Sequence, residues 1–257
     1  MGRRFPTAAG FDGCVTLDAV RVLSIVHERD AGSGVFTAAA AEQGVELIQW
    51  IPAEAAAPRP EGFGAALVFG GAMHVDQERE HRWLRGEKQL LRALLADGVP
   101  VLGVCLGAQL LAEVAGGGAM RTAQPEIGWK AVELTDEAGS DPLLGTLSTP
   151  FESFQWHSYE LSAPDGAAVL ARSAACVQAF RLQAGPSWGI QFHAEATADT
   201  IAGWIRDYRV DEDAVRADLD WAEILAHTRR EIGRWNELGI GICKRFLGGA
   251  AASSRLL

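Results

Sequence analysis

Apolar positions along the first half of the chain fall into two alternating rhythms. Short runs rich in β-branched residues (Val20 to Val26, Val45 to Ile51, Ala65 to Phe69 and Val99 to Val104) read as strands. Longer stretches between them carry a helical period. These are Val35 to Glu42, stopped by Gly44, and Glu78 to Ala96, where Trp83, Leu84, Leu90, Leu91, Leu94 and Leu95 return to one face. Strand and helix in alternation predict βαβ units, and hence an α/β protein with a mostly parallel central sheet flanked by helices on both faces.

After Gly116-Gly117-Gly118 the rhythm changes. Ala131 to Leu134, Ala168 to Ala171, Val177 to Leu182 and Trp188 to Phe192 are short alternating segments with little helical pattern between them. They predict extra strands, some antiparallel. From Thr197 the pattern turns helical, with Trp221, Leu225, Ile232, Trp235, Ile242 and Phe246 forming an apolar stripe. The expected division is an N-terminal arm over 1–17, a main domain over 18–208 and a helical C-terminal extension over 209–257 packed on it.

Charge narrows the function classes. With 23 Lys and Arg against 33 Asp and Glu the net charge is −10, which opposes a grip on nucleic acid, since that needs clustered cations to displace counterions. The longest charge-free stretch, Gly98 to Ala112, is 15 residues and contains Pro100 and Gln109. A membrane-spanning helix needs about 20 apolar residues, so no membrane partner is expected. Cys14, Cys105, Cys176 and Cys243 are scattered without a CxxC pair, which fits neither a zinc ribbon nor a disulfide framework. A cytoplasmic protein with reduced thiols and no metal or other cofactor is the expectation. His27, His74, His81 and His227 have no partner at ligand spacing and read as surface residues.

One segment carries a chemical signature. Gly103-Val104-Cys105-Leu106-Gly107 stands where the strand ending at Val104 meets a helix over Ala108 to Val114. A strand turning sharply into a helix crowds its own backbone, and glycine on either side relieves the clash. The apex residue is then exposed in a strained turn at a helix N-terminus, where free N–H groups and the macrodipole favour an anion. The pentapeptide alone is equally compatible with a buried structural cysteine. A thiol nucleophile needs a base, and the base an orienting group. His193 ends the apolar run Trp188-Gly189-Ile190-Gln191-Phe192, and Glu195 lies two residues on, the same side of an extended chain.

Gly103 to Gln109 and Gly189 to Glu195 together resemble the class I (triad) glutamine amidotransferases. Phe69-Gly70-Gly71-Ala72-Met73, Glu126-Ile127-Gly128-Trp129 and Gln155-Trp156-His157-Ser158 resemble the same family in the same order. The resemblance implies a flavodoxin-like three-layer fold. It also implies a glutaminase in which Cys105 is the nucleophile, His193 the acid and base, and Glu195 the orienter. The N–H groups of Gly71 and Leu106 would form the oxyanion hole, and Gly70, Gln109, His157, Ser158 and Tyr159 would contact substrate. Ala72 and Ala194 depart from the family, where proline is common, and Tyr159 stands where small or acidic residues are usual. The implied substrate is glutamine or another γ-glutamyl compound. Ammonia would pass to a separate acceptor synthase subunit, or the protein would work alone as a γ-glutamyl amine hydrolase. A non-catalytic binding protein of the same fold is the remaining alternative.

Overall fold

The computed structural model describes residues 21–29 and 31–254, so the expected arm over 1–17 lies outside it. The first half contains β1 (Arg21–Ile25), α1 (Val35–Glu42), β2 (Glu46–Trp50), β3 (Ala65–Val68), α2 (Trp83–Ala96), β4 (Val101–Val104) and α3 (Leu106–Val114). Then follow β5 (Gly118–Leu134), a 3₁₀ turn (Asp136–Ser140), β6 (Phe151–Ser162), β7 (Ala168–Arg172), β8 (Val177–Arg181) and β9 (Trp188–Ile190). The chain closes with α4 (Ala198–Tyr208), α5 (Glu212–Arg216) and α6 (Trp221–Ser254).

The nine strands among the described residues form one sheet in the order β2-β1-β3-β4-β9-β8-β6-β5-β7. The first five are parallel, and every pairing beyond β9 is antiparallel. This corrects the expectation of a mostly parallel, flavodoxin-like sheet: the sheet is mixed, and the antiparallel wing is as prominent as the parallel half. Connection length is the physical reason. A parallel neighbour needs a crossover of a dozen or more residues, usually helical. Only 173–176 separate β7 from β8, so that pair must fold back on itself.

In the parallel half, successive residues alternate between two cores, as strand geometry requires. Val22, Leu67, Leu102 and Val104 share a core with apolar residues of α1, α4 and α6. Leu23, Ile25, Ala66, Val68 and Val101 share the other with α2 and α3. Helices therefore cover both faces of this half. The C-terminal stripe becomes the single helix α6, whose Trp235, Ile242, Cys243, Phe246 and Leu247 are buried in the first core. No helix among the described residues is long and apolar enough to cross a membrane.

Candidate active site

Cys105 sits between β4 and α3 with φ 51° and ψ −111°, a conformation that L residues seldom adopt. The neighbouring glycines explain how the turn is tolerated. A methyl on Gly103 would stand 2.4 Å from the Gly107 carbonyl oxygen, and one on Gly107 would stand 2.1 Å from that of Val68. The Cys105 N–H donates to Ile190 O of β9 at 2.9 Å, which ties the elbow to the strand leading to the histidine.

His193 is fixed from several directions. Its N–H donates to Phe154 O at 2.9 Å, and its carbonyl accepts from Trp235 Nε1 of α6 at 2.9 Å. The Trp204 ring stands edge-on at 4.7 Å from the imidazole. Nδ1 lies 2.8 Å from Glu195 Oε1, and both side chains are almost wholly buried. Burial opposes a charged imidazole, but the Glu195 carboxylate and then Cys105 outweigh it, raising the His193 pKa to about 10. Cys105 and His193 both line a pocket of about 290 Å³, and Glu195 stands against the imidazole without lining it.

The glycine loop after β3 borders the same floor. A methyl on Gly70 would come within 3.0 Å of His193 Cε1 and 3.5 Å of Cys105 Cβ. Gly71 and Leu106 both line the pocket, and Leu106, as the first residue of α3, has an N–H with no partner inside the helix. Gln109, His157, Ser158 and Tyr159 line it as well. The Gln109 amide, however, is engaged by the protein, donating to Tyr159 O at 3.2 Å and to Gln191 Oε1 at 3.3 Å. Tyr159 stacks on His74 at 4.3 Å, and its hydroxyl donates to Asp76 at 3.2 Å. Across the rim, Arg121 of β5 donates to Asp213 of α5 at 2.5 Å.

Sequence reasoning missed two buried clusters. Glu126 Oε2 accepts from Ser173 Oγ, Cys176 Sγ and Gln178 Nε2 at 3.0, 3.4 and 2.9 Å. His157 donates from Nδ1 to Tyr159 O at 2.9 Å, and its Nε2 stands 3.3 Å from the same Glu126 oxygen without hydrogen-bond alignment. Burial would raise the Glu126 pKa, yet contacts with His157, Ser173 and Cys176 hold it below its ordinary value. Glu126, His157 and Cys176 are the one set among the described residues grouped closely enough for a metal ion, but the carboxylate oxygen facing them already accepts from three protein donors. The second cluster corrects the surface reading of His27. It is buried and paired with Glu87, which is also buried. The signal was available, because Glu87 falls on the apolar face of α2 with Leu84, Leu91 and Leu94.

Thiol chemistry separates Cys105 from the other described cysteines. Burial, and then the Glu126 carboxylate, push Cys176 up to about 12, and burial alone pushes Cys243 up to about 12. Neither lines the pocket, whereas Cys105 does. Brief iodoacetamide treatment at neutral pH, followed by peptide mass mapping, should therefore modify Cys105 well before Cys176 and Cys243. Equal labelling of the three would remove the basis for treating Cys105 as the reactive thiol.

A sequence profile of the family described as glutamine amidotransferase class-I matches residues 36–205. A glutamine amidotransferase-like protein of Salmonella typhimurium, YfeJ, is 29% identical over 193 residues, covering 73% of this chain and 80% of its own. A γ-glutamyl-L-1-hydroxyisopropylamide hydrolase of a Pseudomonas species is 30% identical over 153 residues. That alignment covers 56% of this chain and 51% of the hydrolase, about half its length. Among solved structures, a glutamine amidotransferase from Thermotoga maritima matches with a TM-score of 0.77 at 27% identity, over 88% of this chain and 97% of its own.

Proposed function

Because the chain belongs to the class-I glutamine amidotransferase family, we propose that it is a thiol amidohydrolase acting on the side-chain amide of glutamine or of a related γ-glutamyl compound. One observation carries the reading: the strained Cys105 elbow opens onto the same pocket as His193, whose Nδ1 is 2.8 Å from Glu195. An imidazole held in that way can move a proton at its other nitrogen while the carboxylate stabilises its charged form.

In the proposed mechanism Cys105 Sγ attacks the γ-carbonyl carbon. The developing oxyanion is stabilised by the N–H groups of Gly71 and Leu106. The C–N bond then breaks as His193 gives a proton to the leaving nitrogen, leaving a γ-glutamyl thioester. Water attacks the thioester as His193 takes up its proton, and glutamate leaves with the thiol restored. Released ammonia would pass to a separate acceptor subunit. Hydrolysis of a γ-glutamyl amine uses the same steps with a different leaving group, and the similarity to the Pseudomonas hydrolase favours including it.

The test is direct. Purified protein is given glutamine and a set of γ-glutamyl alkylamides, and glutamate is measured together with ammonia or the free amine. Turnover of at least one substrate, lost in Cys105→Ala, is expected. No glutamate from any of them would overturn the proposal.

A further inference from the structure

His27 lies two residues beyond the end of β1, and its imidazole is wholly buried and stacked on Trp83 at 5.5 Å. Nε2 is 2.9 and 3.0 Å from the two carboxylate oxygens of Glu87, and Nδ1 is 3.0 Å from the carbonyl oxygen of Gly70. A carbonyl and a carboxylate can only accept, so this arrangement calls for a proton on both ring nitrogens. Burial works against that charge. The field and hydrogen bond of Glu87, with the Gly70 carbonyl, outweigh it and raise the His27 pKa above its ordinary value.

What this pair holds is the loop beside the nucleophile. The Gly70 carbonyl and the Gly71 N–H belong to one trans peptide, whose C=O and N–H point in opposite directions. Anchoring the carbonyl on His27 therefore turns the N–H away from His27. Gly71 is pressed into place from behind, since a methyl there would stand 2.9 Å from His27 Cβ and 2.6 Å from Met73 Sδ. On its far side the loop is held again, with Ala72 N–H donating to Glu28 at 2.9 Å. A charged donor on the carbonyl also polarises the peptide and strengthens its N–H as a donor.

We infer that His27 and Glu87 form a positioning pair for the oxyanion site: by holding the Gly70 carbonyl they aim the Gly71 N–H into the pocket beside Cys105. The inference rests on the amidohydrolase reading, and it assigns work to two residues that never touch substrate. It separates two reactions of the same thiol. Acyl transfer builds an oxyanion and needs the aimed N–H, whereas displacement of iodide from iodoacetamide builds none and needs only the thiol and its base.

The experiment compares both reactions in Glu87→Gln, His27→Leu, His27→Asn and His27→Asn/Glu87→Gln. Loss of one oxyanion donor costs about 10²–10³ in kcat. His27→Leu should therefore lower kcat about 100-fold, with KM changed by less than about 3-fold. Glu87→Gln keeps the shape and the bond to Gly70 but removes the charge, and should lower kcat by roughly tenfold. Asparagine places an N–H near the former Nδ1, so His27→Asn/Glu87→Gln should recover most of the activity that His27→Leu loses. Alkylation of Cys105 by iodoacetamide should stay within about 3-fold of wild type throughout. The inference is overturned if kcat is unchanged in Glu87→Gln and His27→Leu, or if alkylation falls in step with kcat. A wild type that turns over no γ-glutamyl amide overturns the amidohydrolase reading and takes the inference with it; an active wild type with unaffected variants overturns the inference alone.

Discussion

Cys105→Ala and His193→Ala should each reduce steady-state turnover by about 10⁶-fold and leave no detectable acyl-enzyme, while Glu195→Gln still acylates slowly. The scale comes from a serine protease, where losing the nucleophile or base costs about 2 × 10⁶ in kcat and losing the orienting acid about 3 × 10⁴. In the proposed mechanism the Glu195 carboxylate acts only through His193 Nδ1, 2.8 Å away, so its loss leaves both the attacking atom and the proton carrier in place. Other contacts also hold the histidine, from Phe154, Trp204 and Trp235. Single-turnover trapping with radiolabelled substrate, read on denatured protein, decides the order. Acylation by His193→Ala with none by Glu195→Gln would require the base and the orienter to be reassigned.

The other large effect concerns stability. Ending the chain at Asp218 removes α6 and with it Trp235, Ile242, Phe246 and Leu247, each 2% exposed or less. Full burial of such a side chain is worth about 1.5–3 kcal/mol, so the four together represent about 6–12 kcal/mol. That is comparable with the whole stability of a typical domain, about 5–15 kcal/mol. The truncated protein should be insoluble or lack a cooperative thermal transition. Because Trp235 also holds the His193 carbonyl, any soluble fraction should be inactive. Scanning calorimetry and size-exclusion chromatography check this. A soluble monomer melting at the wild-type temperature would mean that α6 contributes nothing to the core.

The strand-to-helix turn at Cys105 and the strand leading to His193 were legible because each leaves a local trace. Two glycines must flank a strand-to-helix apex, and an apolar strand must carry the histidine to its partner. Other features left no such trace. Only the end of β5 was anticipated, because Pro125 and Gly128 interrupt its alternation. The strand accommodates this with a register shift between Arg121 and Glu126. The proportion of antiparallel pairing was also hidden, since it follows from which strands become neighbours and not from any one strand's pattern. His27 was misread because a lone histidine in sequence carries no sign of its partner, and Glu87 lies 60 residues away. Reading α2 for a charge on its apolar face would have exposed half of the pair.

The mixed sheet divides labour in a way that bears on how the protein can diversify. Cys105, His193 and the glycine loop all belong to the parallel half, where β4 and β9 pair directly. Arg121, Ile127 and the run from Trp156 to Tyr159, which line the pocket, come from the antiparallel wing that lies between those two strands in chain order but beyond β9 in the sheet. Insertions and exchanges in the wing can reshape the wall while the reacting atoms keep their spacing, because lengthening a connection adds little to its closure entropy. On the amidohydrolase reading proposed above, new leaving groups thus become accessible to selection, or to recombination between relatives, without the geometry around Cys105 and His193 being reinvented.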